Sequence, residues 1–184
     1  ARQQDVDARW AKKNEENHYG YKNQINAEAA HQLIQDDVVT NAAVHDSQVI
    51  DQLLDYTPQA DGSQRAVYAD RAYRSQERDA QLVKAGLPSE ICEKGSRGHP
   101  LTEEQKPNHR NKSKVRARVE HLFGAQNQMG GHFVRTIGIA RATTKVGMMN
   151  LVYNMTRLVQ LLKRDAKKKS VCGSSSGERA GAPA

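Results

Sequence analysis

The chain has 184 residues, of which 37% are hydrophobic and 27% charged, with a formal net charge of +7. That length fits one domain with a modest core, or one domain with tails; charge interrupts every apolar stretch, so no membrane span fits, and ARQQDVDARW lacks the apolar centre of a signal peptide. Cys92 and Cys172 are far apart and form no C-x-x-C spacing, which argues against a disulfide scaffold and a zinc knuckle and makes a cytoplasmic protein the expectation.

Residues 1–18 are polar and irregular, with Trp10 as the one buried-type side chain and so a structural candidate. In YGYKNQINA, Tyr19, Tyr21, Ile25 and Ala27 share one face at period two, which predicts a strand. EAAH (28–31) is short enough for a hairpin loop, and LIQDDVVT reads as a second strand ending at Thr40. From Asp46, Val49, Leu53 and Leu54 recur at helical spacing; Asp46 or Ser47 supplies the cap, so Asp46 is read as structural, not as a ligand. Pro58 and PQADGSQ stop that helix, and RAVYAD reads as a short apolar strand closing on Asp70. Ser75 opens a further helix, Gly86 caps its end, and a short strand follows around Ile91.

Residues 94–114 lack apolar side chains apart from Leu101 and read as a loop. Val115, Val119, Leu122 and Phe123 then form a helical stripe that Gly130 and Gly131 end. A second long helix is predicted over 147–164, its apolar face made of Met148, Leu151, Val152, Met155, Leu158, Val159 and Leu162. Residues 1–165 make up the predicted domain, and 166–184 a disordered basic, Ser/Gly-rich tail. The order of elements is that of an α/β fold with an antiparallel hairpin at its start. Charge divides along the chain: residues 1–90 hold 10 Lys/Arg and 15 Asp/Glu, and residues 91–184 hold 18 and 6. The basic half suits a polyanion partner, and equally a solubilising surface.

Two acids stand out by position. Asp70 closes a hydrophobic strand, where open α/β sheets place ligand-binding residues. Glu120 lies four residues after Arg116 and eight after Lys112, all on one helix face. Carboxylates so placed suit a divalent metal beside a phosphodiester, because Mg²⁺ takes oxygen ligands. Spacing alone also allows plainer readings: Arg116 and Glu120 as a surface ion pair, and Asp70 as a turn residue. The histidines show no H-x-x-x-H spacing, so zinc chemistry has little support. Candidate phosphate contacts are Lys22, Lys112, Arg116 and Arg118.

The segments DVDARWAKKN, HYGYKNQINAE, VTNAAVHDSQVIDQLLD, VYADRAYRS and KVRARVEHLFG, in that order, resemble bacterial insertion-sequence transposases of the DDE class. The nearest group is the one numbered five in the insertion-sequence-four-like superfamily, and the resemblance runs from about residue 5 to about residue 164. It implies an RNase H-like mixed sheet flanked by helices, with three acids around Mg²⁺, for which Mn²⁺ substitutes. Asp70 maps to the second acid and Glu120, with Arg116 as partner, to the third. The implied activity is DNA strand cleavage and strand transfer; the implied partners are the element's terminal repeats and target DNA. A homo-oligomer fits the same picture, as does a nucleoid location when DNA is bound. The family's first acid lies upstream of the D-x-D-A-R-W segment, so the expectation is an N-terminally truncated catalytic domain, incomplete or inactive by itself. Asp5 and Asp7 belong to a different motif and do not replace it. Ser113 and Asn127 stand where the family's helix motif has Tyr and Lys. The alternative is a non-catalytic DNA-binding transposase remnant, and an RNase H-fold nuclease would share the same acids.

Overall fold

The computed structural model describes residues 5–13, 15–57, 65–70, 73–92, 105–131 and 133–173. Three strands, β1 (Arg9–Lys13), β2 (Glu16–Ala27) and β3 (Ile34–Asn41), form an antiparallel sheet in that order. The long strand β2 is shared end to end. Its first half pairs with β1, from Arg9 opposite Gly20 to Lys13 opposite Glu16. Its second half pairs with β3, from Tyr21 opposite Asn41, with a register shift at Asn26/Ala27. Strand β1 corrects the expectation of an irregular start. Trp10 is not a core residue: it is 66% exposed and packs at 5.0 Å, ring centre to ring centre, on Tyr19.

After the sheet, a 3₁₀ turn (Asp46–Gln48) leads into the short helix α1 (Ile50–Leu53). The cap of the turn is His45, whose ring nitrogen accepts from the Ser47 N–H; Asp46 instead pairs with Lys22 at 3.1 Å. That corrects the expectation of an Asp46 cap. Residues 58–64, which hold the predicted PQADGSQ stop, lie outside the described residues. Val67 makes a parallel bridge with Ser89. Helix α2 (Gln76–Lys84) lies between these segments, with the Ser75 side chain accepting from the Arg78 N–H as its cap. Gly86 follows at φ 67°, a left-handed conformation that glycine takes without strain.

Helix α3 (Gln105–Gln128) begins inside the stretch that composition assigns to a loop. Its first turns carry no apolar stripe, and their inward contact is made by Lys112. The turn after α3 needs both glycines. Gly130 sits at φ 81°, and a Cβ on Gly131 would lie 2.2 Å from the Met149 sulfur and 2.8 Å from the Gln126 carbonyl oxygen. Helix α4 (Ile139–Gly173) is longer than predicted at both ends and runs into the expected tail; residues 174–184 lie outside the described residues. Among the described residues no helix is long and apolar enough to cross a membrane.

Helix α4 also turns opposite to expectation. Met148, Leu151, Met155 and Leu162 are exposed, while Ala142, Val146, Asn150, Tyr153 and Leu161 are buried. The contact with the sheet explains why. The Asn154 amide accepts from the Ile34 N–H at 2.9 Å and donates to the Ile34 carbonyl at 2.8 Å, as a neighbouring strand would. Tyr153 donates to the Gln32 carbonyl at 3.0 Å, and Arg157 to that of His31 at 2.8 Å. Asn150 accepts from Asn23 and from the buried Gln126. The start of α4 is held by the D-x-D segment. Asp5 accepts from the Gly138 N–H at 3.1 Å, and Asp7 from the Ile139 N–H at 2.9 Å. Carboxylates there offset the positive end of the helix and satisfy orphan N–H groups.

The apolar interior falls into two clusters. Ile34, Leu122 and Tyr153 join the sheet to α3 and α4. Leu82, Leu87 and Ile91 pack α2 against the Val67–Ala69 segment.

Candidate functional site

Asp70 is delivered by a short parallel ladder. The Val67 N–H donates to the Pro88 carbonyl, the Glu90 N–H to the Val67 carbonyl, and the Cys92 N–H to the Ala69 carbonyl. Helix α3 lies beside this ladder and is tied to it by charge. Lys112, its side chain only 9% exposed, reaches Glu90 at 3.2 Å. One turn further along, Arg116 meets Asp70 at 3.6 Å, and its other nitrogen lies 3.9 Å from Glu120. The two acids singled out in the sequence thus flank one guanidinium. Their side chains are 47% and 71% exposed, so water screens both pairs and each contributes little to stability.

Tyr73 follows on the same side, its N–H donating to the Asp70 carbonyl at 3.0 Å. Burial, with the charges of Asp46 and Asp70 adding to it, pushes its phenol up to about 12. Asp46 and Asp70 therefore share a neighbourhood through Tyr73. Neither Tyr73 nor Glu90 stood out in the sequence, since both depend on neighbours brought in by folding.

The cations proposed as phosphate contacts have partners inside the molecule. Lys22 donates to the Val44 carbonyl and to Asp46, and Arg118 donates to the Ala29 carbonyl at 2.7 Å. Lys112 is buried on Glu90, and Arg116 lies between the two acids. Lys112 is thereby corrected from a surface contact to a buried tether: a shielded ammonium beside a carboxylate is a packing element. Asp5 and Asp7 do not face this site, being engaged at the start of α4. Burial alone would raise the Asp5 carboxyl, but hydrogen bonds from Gly138, Tyr21, Asp7 and Ala8 outweigh it and hold the group below its ordinary value.

The carboxylate oxygens of Asp70 and Glu120 are the right kind of donor for a hard divalent ion. Among the described residues, however, no group of three or more His, Cys, Asp or Glu side chains converges, and Arg116 already offsets part of the pair's charge. The two acids fit as part of a metal-ligand set, not as a complete one.

The transposase DDE domain family matches residues 1–155, and the chain belongs to that family. A curated relative, the transposase for insertion sequence element IS1106 of Neisseria meningitidis serogroup B, is 36% identical over 122 residues. The match covers 65% of this chain and 40% of the relative, so the chain spans well under half of that protein's length. No solved structure matches the chain significantly.

Proposed function

We propose that this chain is the catalytic-domain portion of an insertion-sequence transposase that cuts and joins DNA by metal-dependent phosphoryl transfer. In this reading its antiparallel sheet and helices are part of an RNase H-like core, and Asp70 and Glu120 are two of three metal-holding acids. The observation that carries it is the placement of Asp70 and Glu120 on either side of Arg116. The third acid is assigned to a strand preceding the D-x-D-A-R-W segment.

Mg²⁺ or Mn²⁺, held by Asp70 and Glu120, would supply charge neutralisation at the scissile phosphodiester and an activated water. The chain's own groups have distinct tasks. Arg116 offsets the negative charge of the two acids, which lowers the repulsion an incoming phosphate meets. Tyr73, protonated up to about 12, is a hydrogen-bond donor at neutral pH and a poor nucleophile.

The test is strand cleavage of element-end DNA in Mg²⁺ or Mn²⁺ by this chain and by the chain extended upstream. The chain alone is expected to be inert and the extended form active, with Asp70→Asn and Glu120→Gln each abolishing cleavage. Cleavage by either acid variant at the unaltered rate would overturn the assignment. A binding-only remnant is the second reading, favoured by the ion pairs that engage both acids with Arg116. It wins if the extended form binds DNA but is as inert as its Asp70→Asn version.

A further inference from the structure

Helix α4 turns to solvent a face that its own fold leaves bare. The seven apolar side chains of that face, from Met148 to Leu162, are 48–63% exposed, while Val146, Asn150, Tyr153 and Leu161 on the other side are buried. Between Val146 and Leu162 the helix carries one charged residue, Arg157, and its guanidinium is turned to the His31 carbonyl. The bare face is therefore uncharged. Seven side chains of this kind offer about 700 Å², above the roughly 300–600 Å² of the largest apolar patch on a typical monomer. Apolar surface of that extent marks an interaction site.

We propose that this face pairs with the same face of a second copy of the chain, the two α4 helices running antiparallel about a two-fold axis at Met155. The spacing of the seven side chains selects that partner. They stand at Met155 and at 3, 4 and 7 residues on either side of it. Reversal about Met155 maps the set onto itself, which is what a two-fold interface requires. Met148 then meets Leu162 of the second copy, Leu151 meets Leu158, Val152 meets Val159, and Met155 meets itself. From Met148 through Leu151, Met155 and Leu158 to Leu162 the intervals alternate between 3 and 4, the seam of a short helix pair. Arg141 and Lys169, one heptad beyond each end and both exposed, close the stripe, so a slipped register would bring a charge against the seam. Two copies bury up to about 1,400 Å², inside the roughly 1,200–2,000 Å² of stable protein interfaces. The contact does not depend on the phosphoryl-transfer reading.

The experiment is sedimentation equilibrium of the purified chain, which is expected to show monomer and dimer exchanging in the micromolar range. At higher dilution the copies separate and the face is bare. Met155→Glu sets two carboxylates against each other on the axis and is expected to weaken dimerisation about a hundredfold, whereas Met155→Leu leaves it intact. Met155 is 60% exposed, so neither variant disturbs the fold of one copy, which circular dichroism checks. Cysteine cross-linking reads the orientation, in a Cys172→Ser background where the remaining Cys92 is buried. Met155→Cys is expected to link the two copies and Met148→Cys is not, because residues 148 of antiparallel helices lie about 20 Å apart along the axis. A chain that stays monomeric throughout the micromolar range overturns the pairing, as does a dimer that Met155→Glu leaves intact. Cross-linking of Met148→Cys as readily as Met155→Cys overturns the antiparallel axis, and open-ended association beyond two copies overturns the two-fold. A dimer formed by this chain but absent from the chain extended upstream gives the face to the added segment and overturns the second copy as its occupant.

Discussion

The two apolar clusters are held to the rest of the molecule by different forces. Around Ile34, Leu122 and Tyr153, α4 is strapped to the sheet by short, directional bonds to backbone groups of Gln32 and Ile34. Around Leu82, Leu87 and Ile91, the link to α3 runs through side-chain charge: Lys112 on Glu90 and Arg116 on Asp70. Glu120 lies on α3, the helix that contributes Leu122 to the first cluster, whereas Asp70 belongs to the second. The candidate site is therefore built on the seam between a part fixed by hydrogen bonds and a part held by ions. Its geometry depends on the more yielding of the two connections.

The comparison breaks first if the two clusters unfold as one. Leu82 is fully buried, so Leu82→Ala is expected to cost about 3 kcal/mol in chemical denaturation. Amide exchange should quicken at Val67, Glu90 and Cys92 while the β2–β3 ladder keeps its protection. Asn154→Ala is the mirror experiment. It leaves the Ile34 N–H and carbonyl without that partner and is expected to cost about 2 kcal/mol, with exchange quickening in β3 instead. If either variant loosens both regions equally, the distinction is lost. Lys112→Met probes the seam itself. Loss of the tether strands Glu90, which is one-third exposed and partly recovered by water, so the cost is expected to be about 1–2 kcal/mol.

Parts of both regions could be read in the sequence, and the reasons are local. The alternation of Tyr19, Tyr21 and Ile25, the Ser75 cap and the positive φ of Gly86 are dictated by neighbours along the chain. The pairing of Arg116 with Glu120 follows from helical spacing alone. What escaped notice depends on tertiary partners. Strand β1 carries little apolar pattern and exists by pairing with β2. The first turns of α3 offer no stripe because a buried lysine makes the contact. In α4 the periodicity revealed an apolar face but not its direction. The sheet needed polar side chains against its edge residues, so Asn150, Tyr153 and Asn154 face it instead.

Tyr73 reports on the seam without relying on stability. Its folded value of about 12 lies above the ordinary 10.0, so folding favours the protonated phenol. The stabilisation it adds is complete below pH 10 and is lost as pH rises through about 12. Carbon NMR of the tyrosine ring, which separates one phenol from another, should find Tyr73 ionising late. Asp70→Asn removes one of its two negative neighbours and should bring the ionisation back toward 10.0, though burial keeps it above. An unchanged Tyr73 titration would place Asp70 farther from Tyr73 than the structure has it.

The smallest effects test which face of α4 matters. Tyr153→Phe deletes one hydrogen bond from a buried ring and should cost about 1 kcal/mol. Leu158, five residues on, is 49% exposed, and Leu158→Ala is expected to change the stability of a single copy, measured at high dilution, by no more than about 0.5 kcal/mol. Hydrophobicity alone ranks these substitutions the other way, since leucine to alanine removes more apolar surface than tyrosine to phenylalanine. A Leu158→Ala cost of several kcal/mol at that dilution would mean that the leucine face is covered within one copy. The hydrogen-bond strap would then cease to be what orients the helix.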